Sequence, residues 1–99
     1  MSVKLIRLVT GEEIVGKVCV LEYRTIISDA LMLLPTQQGL QFVPFPMLAK
    51  DNKEISINNN NVVYVCEVKS EILAAYEEEI TGIVRASAGT LDKKGKLIL

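Results

Sequence analysis

Residues 3 to 21, VKLIRLVTGEEIVGKVCVL, set two apolar runs around Thr10-Gly11-Glu12-Glu13. Residues 3 to 9 read as a strand, the four-residue segment as a turn and residues 14 to 21 as the returning strand, which predicts a hairpin. Gly16 stands inside the second strand, where a residue without Cβ marks a bulge or the bend that lets a short sheet curl. Ile14, Val18 and Val20 fall on one side of this strand and Val15, Cys19 and Leu21 on the other. Both sides therefore call for cover, unlike a strand with one wet face.

Beyond the hairpin, residues 25 to 34 read as a third strand, ended by Pro35 and Gln37-Gln38-Gly39, and residues 40 to 48 as a fourth. Pro44 and Pro46 lie two apart, so their missing N–H groups share one side, which cannot sustain a full ladder. Residues 53 to 57 and 62 to 68 flank Asn58 to Asn61, and the turn tolerance of asparagine predicts a second hairpin. The strand over 62 to 68 is again apolar on both sides, with Val62, Tyr64, Cys66 and Val68 on one and Val63 and Val65 on the other. From Ser70 the period changes: Leu73, Tyr76 and Ile80 recur at helical spacing, Ser70 can cap the amino end, and Glu71 suits the first turn. The spacing predicts a short helix over 70 to 80 closing a domain of residues 1 to 81. Residues 82 to 99 form a small-residue, lysine-rich tail whose composition reads as a flexible end, the alternative being that Lys96-Leu97-Ile98-Leu99 is a contact element docked on the domain or on a neighbouring copy.

Ninety-nine residues make one domain. With 49% hydrophobic residues, the chain carries more apolar surface than a lone domain of this size readily hides. Burying one added side of about 300 Å² is worth roughly 7 kcal/mol before association costs, which favours a permanent oligomer. No apolar stretch approaches the roughly 18 residues of a membrane span, and Met1 leads into strand-like sequence rather than an export signal. Cys19 and Cys66 sit in apolar runs as free thiols, consistent with a reducing cytoplasm. Eleven basic against 12 acidic residues give a net charge of −1, so any nucleic-acid contact must be local. Histidine is absent, which removes the commonest general base and metal ligand. The expectation is a non-enzymatic protein without cofactor, metal, small-molecule substrate or membrane partner.

Val3, Leu5 and Leu8 followed by Thr10-Gly11-Glu12-Glu13-Ile14-Val15-Gly16-Lys17-Val18 resemble the first motif of Sm-like (LSm) proteins, and residues 55 to 65, ISINNNNVVYV, resemble the second. The two stretches and their spacing cover most of residues 3 to 68, and short Sm-like proteins encoded by phage are similar. The resemblance implies a mainly β fold: a strongly bent, five-stranded, SH3-like open barrel whose last two strands join neighbouring subunits into a homo-oligomeric ring binding single-stranded RNA. It also implies the cytoplasm of a bacterium or phage-infected host. The family's amino-terminal helix has no counterpart, since strand-like sequence begins at Val3, and the helix at 70 to 80 takes its place as cover. In the family's base pocket, Glu22 stands near an expected Asp, Tyr23 supplies the stacking residue, and Thr25 is nearest to an expected Asn. Asn58-Asn59 replaces Arg-Gly, and asparagine lacks the charge and plane of a guanidinium.

Gly11 to Lys17 matches the spacing of a phosphate-binding loop, but Glu12 and Glu13 repel phosphate, Val18 replaces the magnesium-binding hydroxyl, and a strand follows where a helix is needed. Glu77, Glu78 and Glu79 occupy consecutive helix positions that diverge, so they read as a solvated face rather than a metal site. Nothing marks Asp29 and Glu22 as a catalytic carboxylate pair. Tyr23-Arg24 joins an aromatic plane to a guanidinium in a loop, a pairing that holds single-stranded bases, against the plainer reading of a solubilising rim. Asn58, Asn59 and Asn60 complete the RNA-binding candidates. The rival expectation keeps the ring and drops RNA, leaving a protein-assembly module.

Overall fold

The computed structural model describes residues 2–46 and 54–87. The chain falls into two compact units, Met1–Lys69 and Ser70–Leu99, each taken in turn.

The first unit is an open antiparallel sheet of six strands: β1 (Ser2–Leu8), β2 (Glu13–Val20), β3 (Arg24–Thr36), β4 (Gly39–Pro44), β5 (Glu54–Asn58) and β6 (Val62–Cys66). The order is β4-β3-β2-β1-β6, with β5 paired to β3. The predicted first hairpin is present, with Leu5 opposite Val15 and Arg7 opposite Glu13. Its turn is closed by Gly11 N–H donating to the Leu8 carbonyl at 2.9 Å, and Gly11 takes φ +104°, a conformation open to glycine at no steric cost. The Thr10 hydroxyl donates to Glu12 and holds that carboxyl below its ordinary range.

Gly16 is the bend the sequence predicts. The β2–β3 register shifts between Val15 and Lys17, and a Cβ on Gly16 would lie 2.6 Å from Ile27 Cγ2 and 3.1 Å from the Ser28 carbonyl oxygen. Only a residue without a side chain lets the strands approach this closely. Opposite the bulge, Asp29 adopts φ +52° and its carboxylate meets Lys17 Nζ at 3.3 Å.

The resemblance implies five strands; among the described residues the sheet has six, as many as the strand segments read along the sequence. β3 is 13 residues long and is shared along one edge: Leu31–Thr36 pairs with β4, Arg24–Ser28 with β5. Pro44 ends the first partner because neither it nor Pro46 can donate to a ladder, and β5 takes up the same edge further on. Met47 and Leu48 of the expected fourth strand, and Lys53 of the fifth, lie outside the described residues.

The expected second hairpin is also corrected. β5 and β6 do not pair with each other: β5 pairs with β3, and β6 crosses to β1, Leu5 opposite Cys66 and Arg7 opposite Tyr64. Asn59–Asn61 between them form a single 3-10 turn capped by the Asn58 side chain, a corner that redirects the chain instead of folding it back. No asparagine of the run has positive φ.

Ile6, Leu8, Ile14, Val18, Ile27 and Ala30 form the core, with Phe45, Ile55, Ile57 and Val62 packed against it. Val15 and Leu31, opposite one another, are also buried, and strand alternation puts them on the other side of the sheet from Ile14. Both sides of β2 are covered there, as its sequence demanded.

In the second unit, α1 runs from Ser70 to Ser87 with Glu71 in its first turn. It passes residue 80, where helix was expected to stop, and takes in the first residues of the expected tail. One interior glycine, Gly82, costs about 1 kcal/mol and does not end a helix whose flanking residues support it. Tyr76 is buried, Glu77 and Glu78 are exposed, and the Thr81 hydroxyl donates to the Glu77 carbonyl at 2.8 Å. Residues 88 to 99, including Lys96-Leu97-Ile98-Leu99, lie outside the described residues.

Candidate nucleic-acid interface

The connection from β2 to β3 is a tight tip, closed where Leu21 N–H donates to the Arg24 carbonyl at 2.8 Å. Such a tip exposes successive carbonyls, which need donors. Asn59 supplies them all: its side-chain Nδ2 donates to Leu21 O at 2.9 Å and to Glu22 O at 3.3 Å, and its backbone N–H donates to Tyr23 O at 3.0 Å. Its remaining atom, Oδ1, accepts from the Thr25 hydroxyl at 2.6 Å. One asparagine thereby pins three consecutive backbone units from behind.

The 3-10 turn itself is held by Asn58 Oδ1, which accepts from Asn60 N–H at 2.9 Å, and by Asn61, whose carbonyl accepts from Val9 N–H at 2.9 Å. Arg24 lies directly opposite Asn58 in the β3–β5 ladder. The seven candidates thus gather on one rim although 33 positions separate Thr25 from Asn58, the turn meeting the tip because β5 returns along the start of β3.

Their roles divide. Thr25 is 1% exposed with its hydroxyl engaged by Asn59, and every side-chain polar atom of Asn59 is bonded within the chain. These two position the rim rather than face a ligand. Glu22, Tyr23, Arg24, Asn58 and Asn60 are exposed, Tyr23 at 76%. With its backbone fixed from behind, the tip displays an aromatic plane between a carboxylate and a guanidinium.

The cations differ in availability. Lys4 pairs with Glu67, Arg7 lies 4.0 Å from Glu13, and Lys17 pairs with Asp29. Arg24 has no ion pair among the described residues. A phosphate beside Tyr23 would meet a guanidinium that need not first leave a carboxylate.

A second feature is the outer edge of β6. Val63 is 55% exposed at the bulge where the β1–β6 register slips, and Tyr64 and Val65 are each 37% exposed. Tyr64 reaches across β1 to donate to Glu13, and that bond to a carboxylate raises its phenol above the ordinary value. The two-sided apolar pattern of residues 62 to 68 signalled this edge. The inward role of Asn59 carried no sequence signal separable from base recognition, since both use the same amide.

Among the described residues, no three Cys, Asp or Glu side chains gather where a metal ion could sit, and no helix is long and apolar enough to cross a membrane. No family model and no curated protein sequence matches the chain.

Proposed function

We propose that this chain is a non-enzymatic Sm-like module that joins copies of itself through strand edges into a homo-oligomeric ring and offers its β2–β3 tip to single-stranded RNA. The carrying observation is β6: a five-residue strand with no charge and no proline, hydrogen-bonded along one edge to β1 and, among the described residues, to no other strand. Strands that end a sheet in a solitary protein are blunted by lysine, proline or cover. Here β4 is blunted by Pro44, while β6 is left open and apolar. β5, paired among the described residues to β3 alone, offers a second edge, and a contact between unlike edges propagates around a closed ring. The Gly11 turn running into a second strand bent at Gly16 supports the Sm-like resemblance of residues 3 to 68. The cytoplasm is the compartment this reading assigns.

Static light scattering of the purified chain tests the assembly: a mass several times that of one chain is expected, and a well-folded single copy at high concentration would end the proposal. Titration with single-stranded RNA at rising salt tests the tip, since contacts to phosphates weaken steeply as salt increases. A ring without RNA affinity is favoured by one observation, that Asn58-Asn59 replaces Arg-Gly and Asn59 is engaged internally. Assembled protein that binds no RNA at low salt selects that reading.

A further inference from the structure

We infer that the β2–β3 tip prefers guanine among the bases of single-stranded RNA, with the Glu22 carboxylate as the selecting group; this rests on the RNA reading above. The observations are the fixed tip and the three side chains it displays. Asn59 holds the carbonyls of Leu21, Glu22 and Tyr23, so little of the tip's freedom is left to lose when a ligand binds, and preorganisation of this kind raises affinity. Tyr23 gives a base a face to stack on, a contact blind to base identity because every base has a π-face. Arg24, without an ion pair among the described residues, suits the phosphate, which is equally blind.

Identity must then come from the base edge, and of the three side chains the tip displays Glu22 is the one left to read it. It is exposed and enters no ion pair among the described residues. An ionised carboxylate only accepts hydrogen bonds. Guanine alone presents two adjacent donors on its Watson–Crick edge, N1–H and the N2 amino group, spaced for the two oxygens of one carboxylate. Cytosine and adenine each present one amino donor beside a ring acceptor that repels the second oxygen. Uracil presents one N–H between two carbonyls and is disfavoured most. Single-stranded bases stacked on an aromatic ring expose this edge for reading.

The test compares short RNA strands of repeat AAG, AAC and AAU, and AAG with inosine in place of guanosine, by fluorescence anisotropy on the intact protein at low salt. The AAG strand is expected to bind at least about tenfold tighter than AAC or AAU, the margin one bidentate base contact supplies. Inosine, which lacks the N2 amino group, should lose most of that margin. Glu22→Gln should remove the preference for AAG, and Tyr23→Ala should weaken all four strands together. Neither exposed side chain supports the fold, so circular dichroism and urea midpoints should match the parent. Equal binding of the strands by the parent protein, or a guanine margin that survives in Glu22→Gln, overturns the inference while leaving RNA binding standing. Failure of every strand to bind removes the RNA reading, and this inference with it.

Discussion

β5 and β6 are five residues each, stand on either side of one 3-10 turn, and each pairs, among the described residues, with a single strand. Along β5, Ile55 and Ile57 turn toward the core while Glu54, Ser56 and Asn58 meet water. Along β6 there is no such division: Val62 packs on the core, and Val63, Tyr64, Val65 and Cys66 are exposed in succession. Strand propensity and length are alike, so the difference lies in what the outward side is suited to meet. The β5 side suits solvent, and the β6 side suits another polypeptide.

Charging the two strands alike should break the symmetry most sharply. Val63→Lys puts an ammonium on the open edge, where its long stem can still reach water in a single copy but not in an assembly. Association is expected to weaken by a factor of at least about 100 through the buried charge, read as a fall in mass by light scattering with the circular dichroism spectrum retained. Ser56→Lys places its charge on a side of β5 that already meets water, so assembly through the β5 edge should weaken far less and stability stay within about 0.5 kcal/mol. Equal loss of assembly in both variants would show that edge composition is not what distinguishes the strands.

The corner between them is the next place to press. Asn59→Ala removes the donors to Leu21 O and Glu22 O and leaves the buried Thr25 hydroxyl without its acceptor. A loss of roughly 1–3 kcal/mol is expected in urea unfolding, with weaker RNA binding as the tip loosens. Affinity unchanged in a destabilised Asn59→Ala protein would separate the clamp from the binding surface.

The smallest effect belongs to Tyr64→Phe. The bond to Glu13 favours the neutral phenol and raises its pKa. Its contribution is therefore complete below the unfolded phenol value near 10 and fades as pH rises through the folded one. Ultraviolet titration of the phenols should show one fewer late-titrating tyrosine in the variant than in the parent. At neutral pH the exposed bond is expected to change stability only slightly.

Local chemistry made part of this fold legible. Alternation and the Thr10-Gly11 turn located the first hairpin, Gly16 located the bulge, and Pro44 with Pro46 announced a strand that could not pair throughout. Partner choice was not local. Asn58 to Asn61 read equally well as a hairpin turn and as a corner, and only the free first half of β3 decides which, since it takes β5 and leaves β6 to β1. The helix outran its expected end because one glycine is a weak stop. At the rim, Tyr23-Arg24 stood out as an exposed aromatic beside a cation. The burial of Thr25 and the inward turn of Asn59 depend on a contact between segments distant in sequence, which no pattern within either segment records.

The ladder from β1 to β6 joins the two ends of the first unit: Lys4 and Glu67, which it brings together, are 63 positions apart. A pairing that closes so long a loop forms late, after the local hairpins. On the ribosome β6 is also the last strand of the sheet to emerge, so the far flank of β1 stands vacant until translation of the sheet is finished. Exchange of the last strand between two copies is the error to which this topology is most open.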